Sequence, residues 1–136
     1  MKKKSWSFMT AIDINKQPEI RVLPMPADTN AAGDIFGGWL MSQVDIAGSI
    51  AAHRYVGNRV VTVAVNQFIF IKPVFVGDLV SIYANIEHIG NTSIRIVLDV
   101  MAEHERGKEN AQKVATAILT YVSIDENKQP KIICKS

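Results

Sequence analysis

Between Ile35 and Ala52 the one formal charge in this 136-residue chain is the carboxylate of Asp45. On a helix its neighbours one turn away are Met41, Ser42, Gly48 and Ser49, so no lysine or arginine is placed to neutralise it. An acid set among apolar residues without a charged partner is either a hydrogen-bonded structural group or a working acid, base or nucleophile. The local pattern leaves both readings open. Ser42, Gly48, Ser49 and Ala52 are small, which lets another backbone or a ligand approach. Two turns earlier, Gly37 and Gly38 stand where the helix should begin. The first amide N–H groups of a helix have no internal acceptor and attract negative charge. Glycine lets an oxygen come close to them, so the pair could hold a carbonyl oxygen as it becomes an oxyanion. A Gly-Gly pair is also an ordinary turn.

Other chemistries find little support. His53, His88 and His104 are far apart and lack metal-ligand spacing, so no metal is expected and each reads as a surface or helix-end residue. There is no GxSxG elbow, no GxxxxGK phosphate loop and no GxGxxG. Ser42 and Ser49 have no histidine beside them. The single cysteine, Cys134, excludes an internal disulfide, suits a reducing compartment and reads as incidental at a loose end. The basic residues Lys2 to Lys4 are not followed by an apolar signal core, and a cytoplasmic protein is expected. A net charge of +2 with no basic stripe argues against nucleic acid. Residues 35–52 are apolar, yet they contain Gln43, Asp45 and two serines and fall short of the ~20 residues of a membrane span. They read as a buried helix.

The elements that must position these residues follow from period and punctuation. Composition (48% hydrophobic, 21% charged) and length suggest one globular domain. Glu19–Met25 reads as a short strand stopped by Pro24 and Pro26, and Ala27–Gly38 as a loop with turn formers Asp28, Asn30 and Asp34. A helix should run from Gly37 or Gly38 to about Tyr55, closed by Gly57–Asn58. Val60–Ile71 is a β-branched and aromatic strand. Period-2 alternation then marks strands with Val80, Ile82, Ala84 and Ile86 on one face, and with Ile94, Ile96, Leu98 and Val100 on one face. In the last strand Val114, Ile118, Val122 and Ile124 line one face, while Ala115, Ala117, Leu119 and Tyr121 form a second apolar face expected to be covered from outside. Asp13-x-Asn-Lys-Gln-Pro-x-Ile recurs from Asp125 and reads as shared turn chemistry. The order is strand, long helix, four strands: an α+β domain with one curled antiparallel sheet wrapped around an apolar helix, and surplus apolar surface that implies an oligomer.

The loop and helix start also carry a likeness. Asp28-Thr-Asn30, Gly33, Gly37-Gly38 and Asp45-Ile-Ala-Gly48 resemble the hotdog-fold acyl-CoA thioesterases, above all the bacterial YciA-like acyl-CoA hydrolases. Val60-Val-Thr-Val-Ala-Val65, Phe70-Ile-Lys72-Pro73, Val76-Gly-Asp78 and Gly90-x-Thr-Ser93-Ile continue it over about residues 19–124. The resemblance implies a hotdog domain over 19–125, with 1–18 an N-terminal extension and 126–136 a C-terminal tail. It implies hydrolysis of acyl-CoA to a free acid and coenzyme A, in a dimer joined sheet to sheet or a hexamer built as a trimer of dimers. No separate cofactor is implied, since coenzyme A is part of substrate and product.

Carried over by residue, Asp45 matches the family's catalytic helix acid, acting as general base or as nucleophile. Asn30 matches the catalytic asparagine that reaches the acid of a neighbouring subunit. Gly37 and Gly38 match the amides that polarise the thioester carbonyl. Arg59 and Lys72 sit in matched motifs as cations for the coenzyme A phosphates, with Asn91 and Ser93 as further contacts; the alternative for each is plain solvated surface. Ala32 stands where close relatives often have asparagine. Hotdog dehydratases need a histidine before the helix, and none precedes His53. A non-catalytic acyl-CoA-binding sensor with this fold is the remaining rival, and such proteins usually lose the acid that is kept here.

Overall fold

The computed structural model describes residues 16–134. Most of the N-terminal extension, including Asp13 to Asn15 at the start of the first repeat, lies outside the described residues. The elements in order are β1 (Ile20–Val22), α1 (Gly37–Val56), β2 (Val60–Phe70), β3 (Leu79–Ile89), β4 (Ser93–Glu103) and β5 (Gln112–Ser123), with single 3₁₀ turns at Pro26–Asp28 and Lys108–Asn110. The strands form one open antiparallel sheet in the order β1-β3-β4-β5-β2, and α1 lies across it. This is the expected helix wrapped by a curled sheet. β1 is three residues long, shorter than the expected Glu19–Met25, because Pro24 and Pro26 have no N–H to give a ladder.

The core lies between helix and sheet. Leu40, Val44, Ala47, Gly48 and Ala52 form the buried face of α1. They meet Val80 and Ile82 of β3, Ile94, Ile96, Leu98 and Val100 of β4, and Ala115, Ala117, Leu119 and Tyr121 of β5. Truncating one of the large aliphatics to alanine typically costs about 2–5 kcal/mol. The helix ends at Gly57, whose φ of 80° is the left-handed value that glycine accepts without strain. On the outer face of the sheet Asp99 is only 1% exposed, and its Oδ1 accepts from Lys113 Nζ at 3.0 Å and from Thr116 Oγ1 at 3.1 Å.

Two sequence expectations are corrected. The face of β5 that turns to the helix is Ala115, Ala117, Leu119 and Tyr121, each at most 2% exposed, whereas Ile118 and Val122 are only half-buried. Both faces of that strand are apolar, so alternation could not choose between them, and the small alanines go where the helix lies close. The tail is not loose up to Cys134. The second Asp125 repeat makes its turn, with the Asp125 carboxylate accepting from the amides of Asn127 and Gln129. The chain then returns along β5, and Ile133 donates to the Asn91 carbonyl at 2.7 Å and joins the core.

β2 is an edge strand of 11 residues, and most of its side chains are exposed, among them Val61, Val63, Val65, Ile69 and Phe70. Met41 and Ile46 on the neighbouring flank of α1 are exposed as well. Among the described residues no helix is long and apolar enough to cross a membrane.

Candidate active site

Asp45 sits half-buried in mid-helix, facing the β2 end of the sheet. Its partners are two hydroxyls. Thr62 Oγ1 donates to Asp45 Oδ1 at 2.7 Å. Tyr121 Oη lies 3.1 Å from the same oxygen and 2.9 Å from the Asp45 backbone carbonyl. Thr62 and Tyr121 are directly opposed in the β2–β5 ladder, so one rung of the sheet presents both hydroxyls to one carboxylate oxygen. Immediately beyond that rung the β2 register slips by a residue, a bulge of the kind that re-aims side chains near sites. Burial first, and then the Asp45 charge, push the Tyr121 phenol well above its ordinary value near 10, so it stays a proton donor. Asp45, Met41, Ser42, Thr62, Val65, Phe68 and Leu119 line a cleft of about 240 Å³ that is mainly apolar. The acid is thus hydrogen-bonded at Oδ1, and among the described residues nothing is bonded to Oδ2.

A second cleft, of about 360 Å³, opens at the start of the same helix. Its lining includes Asn30, Phe36, Gly37, Leu40, Phe70 and Lys72. Asn30 Oδ1 accepts from the amides of Ala32 (2.9 Å) and Asp34 (3.1 Å), which fixes the loop and turns the side-chain amide N–H group outward. No acceptor among the described residues takes that N–H. Phe36 is the N-cap of α1 and makes no side-chain cap, and the first turn has no acidic residue. Among the described residues the amides of Gly37 and Gly38 are therefore left without acceptors, as an oxyanion-binding helix start requires. A Cβ on Gly37 would lie 3.2 Å from the Phe70 ring, whereas Gly38 borders open space.

Within one chain the sequence-predicted residues fall into separate groups. Gly37 and Asp45 are eight residues apart on one helix, a rise of about 12 Å. Asn30 and Lys72 belong with Gly37 at the Phe70 end of β2. Lys72 Nζ donates to Gln112 Oε1 at 2.8 Å. Arg59, Asn91 and Ser93 gather at the opposite end, where Ile124 N donates to the Arg59 carbonyl and Ser93 pairs with Val122. Sequence reasoning missed Thr62 and Tyr121. It also missed His104, whose Nδ1 lies 2.7 Å from the buried Asp78 Oδ1. Hydrogen bonding to Asp78 and then its charge raise the His104 pKa. Among the described residues no group of three His, Cys, Asp or Glu is placed to hold a metal.

Comparison with known proteins gives a consistent set. The thioesterase superfamily model matches residues 32–108. The acyl-CoA thioester hydrolase YciA of Salmonella typhimurium is 46% identical over 127 residues, covering 90% of this chain and 96% of the relative. The hexameric thioesterase of Yersinia pestis superposes with a TM-score of 0.83 at 44% identity, over 90% of this chain and 98% of that one. An acyl-CoA hydrolase of Staphylococcus aureus, solved with butyryl coenzyme A, coenzyme A and coenzyme A disulfide, gives a TM-score of 0.78 at 29% identity, over 84% and 69%. That enzyme has also been solved with an asparagine, an aspartate or a threonine replaced by alanine. The three positions are separated by 15 and 17 residues, the intervals that separate Asn30, Asp45 and Thr62.

Proposed function

The chain belongs to the thioesterase superfamily, among its hotdog-fold acyl-CoA thioester hydrolases, and from that premise we propose that its active site is divided between two copies, Asp45 from one and Asn30, Gly37 and Gly38 from the other. One observation carries this reading: β2 is a bare, apolar edge strand with Asp45 near its start and the Asn30 cleft near its end. A two-fold pairing of identical edge strands is isologous and runs them antiparallel. The start of one β2 then lies beside the end of the other, and the two half-sites meet. A same-chain Gly37 amide, about 12 Å along the helix from Asp45, is out of the ~3 Å reach that catalysis needs.

The chemistry follows from the groups. The thioester carbonyl oxygen points at the Gly37 and Gly38 amides of one copy, which stabilise the charge that develops on it. Asp45 of the other copy either takes a proton from the attacking water or attacks the carbonyl carbon itself, giving an anhydride that water then opens. Coenzyme A leaves as the thiol, so it enters as substrate and departs as product. The Asn30 side-chain amide orients water or thioester. The interval match to the Staphylococcus aureus variants supports the roles of Asn30 and Asp45 and adds Thr62 as the residue that holds the acid. Antiparallel pairing also brings Arg59, Asn91 and Ser93 of one copy toward Lys72 of the other, a set able to receive the phosphates of coenzyme A. A hexamer, the state of the Yersinia pestis neighbour, is three such pairs.

The test is release of free thiol from acyl-CoAs of increasing chain length by the native protein and by Asp45→Asn. Activity that falls by about 10²-fold in the variant supports the reading. A native protein that binds acyl-CoA without hydrolysing it points instead to a sensor.

A further inference from the structure

Thr62 and Tyr121 both reach Oδ1 of Asp45, and the tyrosine does so through a gap that only glycine leaves open. A Cβ at Gly48 would lie 2.1 Å from Tyr121 Oη, so the Asp45-Ile-Ala-Gly48 spacing places a notch one turn after the acid and fills it with a phenol from β5. Tyr121 is fully buried, and a buried phenol needs a partner for its O–H. Two acceptors are in range, but the proton is single. The carboxylate, being charged, takes the stronger bond when ionised, and the backbone carbonyl takes the proton when the charge is gone.

We infer that Tyr121 is a positioning residue for the reaction: through the Gly48 notch its phenol, with Thr62, holds Oδ1 of Asp45 and leaves Oδ2 as the oxygen that acts on water or thioester. This rests on Asp45 being the reacting acid. Tyr121 touches neither water nor acyl group and acts through the carboxylate alone. Both versions of the mechanism require the ionised acid, and the phenol donates to the oxygen that does not react.

Among the described residues no other titratable group competes for this role. On α1 the residues one turn from Asp45 are uncharged, and β2 carries no titratable side chain. On β5 the titratable residues are Lys113, paired with Asp99, and Tyr121 itself. Arg95 of β4 pairs with Glu87 of β3, Glu103 of β4 accepts from Gly107 N, and Tyr83 and His88 of β3 make no hydrogen bond to Asp45.

The experiment records kcat and KM against pH for a short-chain acyl-CoA with four proteins: native, Tyr121→Phe, 3-fluorotyrosine at position 121, and Asp45→Asn. Removing a hydrogen bond to a charged group should lower kcat by about tenfold at nearly constant KM and move the acid limb up by about one pH unit. Fluorotyrosine, a stronger donor of the same shape, should move that limb the opposite way. Superimposed limbs and equal kcat for native and Tyr121→Phe overturn the inference and leave Tyr121 a packing residue, as do shifts of the same sign in both Tyr121 proteins. Should Tyr121→Phe not fold, the fluorotyrosine protein alone decides by the sign of its shift. An Asp45→Asn protein as active as native removes the premise itself, a result distinct from failure of Tyr121 alone.

Discussion

Mixing two inactive proteins tests the divided site most directly. Asp45→Asn removes the acid and Asn30→Ala removes the orienting amide, and each alone should leave roughly 1% of native hydrolysis. The expected gain on mixing follows from the geometry. Gly37, in the lining of the Asn30 cleft, stands about 12 Å along α1 from Asp45, so within one chain the acid and the helix-start amides are too far apart to share a substrate carbon. In a β2–β2 pair each site takes Asp45 from one copy and Asn30 from the other. Unfolding the two variants together and refolding them at random makes about half of all pairs mixed. Every mixed pair holds one site with both substitutions and one site with neither. Free-thiol release should therefore recover to about a quarter of native, some 25-fold above either parent. If both residues served within one chain, every site in the mixture would still lack one group, and activity would stay at the parental average. That result, obtained with oligomers shown to have exchanged subunits, refutes the divided site.

Three further outcomes are expected. Val65→Lys puts a charge on the exposed β2 edge next to the Asp45 cleft; it should shift the oligomer toward monomer in sedimentation or size-exclusion measurements and abolish hydrolysis, while the circular dichroism of the monomer stays native-like. Lys113→Met leaves Asp99, 2% exposed at its side chain, without its cation, and chemical denaturation should show a loss of about 3–5 kcal/mol. His104 has a raised folded-state pKa because of Asp78, so its contribution to stability is complete below the ordinary value near 6.5 and is lost as pH rises through the raised value. Melting temperature should step down across that window in the native protein and not in His104→Ala.

Most of the fold was legible because its strands alternate. β3 and β4 begin and end where period 2 begins and ends, and α1 stops at the glycine that punctuates its apolar run. The acid, the loop asparagine and the helix-start glycines were legible as a motif, since they lie within 16 residues of one another. What failed to show was whatever depended on which face of an apolar strand turns inward. Tyr121 is one of four apolar residues on its face of β5, and nothing in the alternation says that its hydroxyl meets a carboxylate 76 residues earlier. A usable signal was present in Gly48, a glycine in mid-helix one turn after the acid, which marks a close approach by something. Thr62 was hidden because a threonine in a β-branched run reads as strand-forming filler. His104 and Asp78 meet because β3 begins beside the point where β4 ends, a pairing that no local pattern encodes.

If the site is divided as proposed, the position of Asp45 in mid-helix also accounts for the exposed edge. An acid two turns from its own helix start cannot share a carbonyl with the amides there, because the rise of a helix is fixed. Among the described residues α1 is the one long helix, and in the proposed pair a positive helix end comes to that acid from another copy. In the proposed divided site the acid must lie beside the edge where the copies join, and β2, the strand that places Thr62 under Asp45, is the edge that meets this requirement. Its exposed valines and isoleucine would be an aggregation liability on a monomer. In the proposed pair they would form the seam of the active site, where apolar, unpaired residues let the joining of two copies remove water from the acid in the same step that supplies its partner amides.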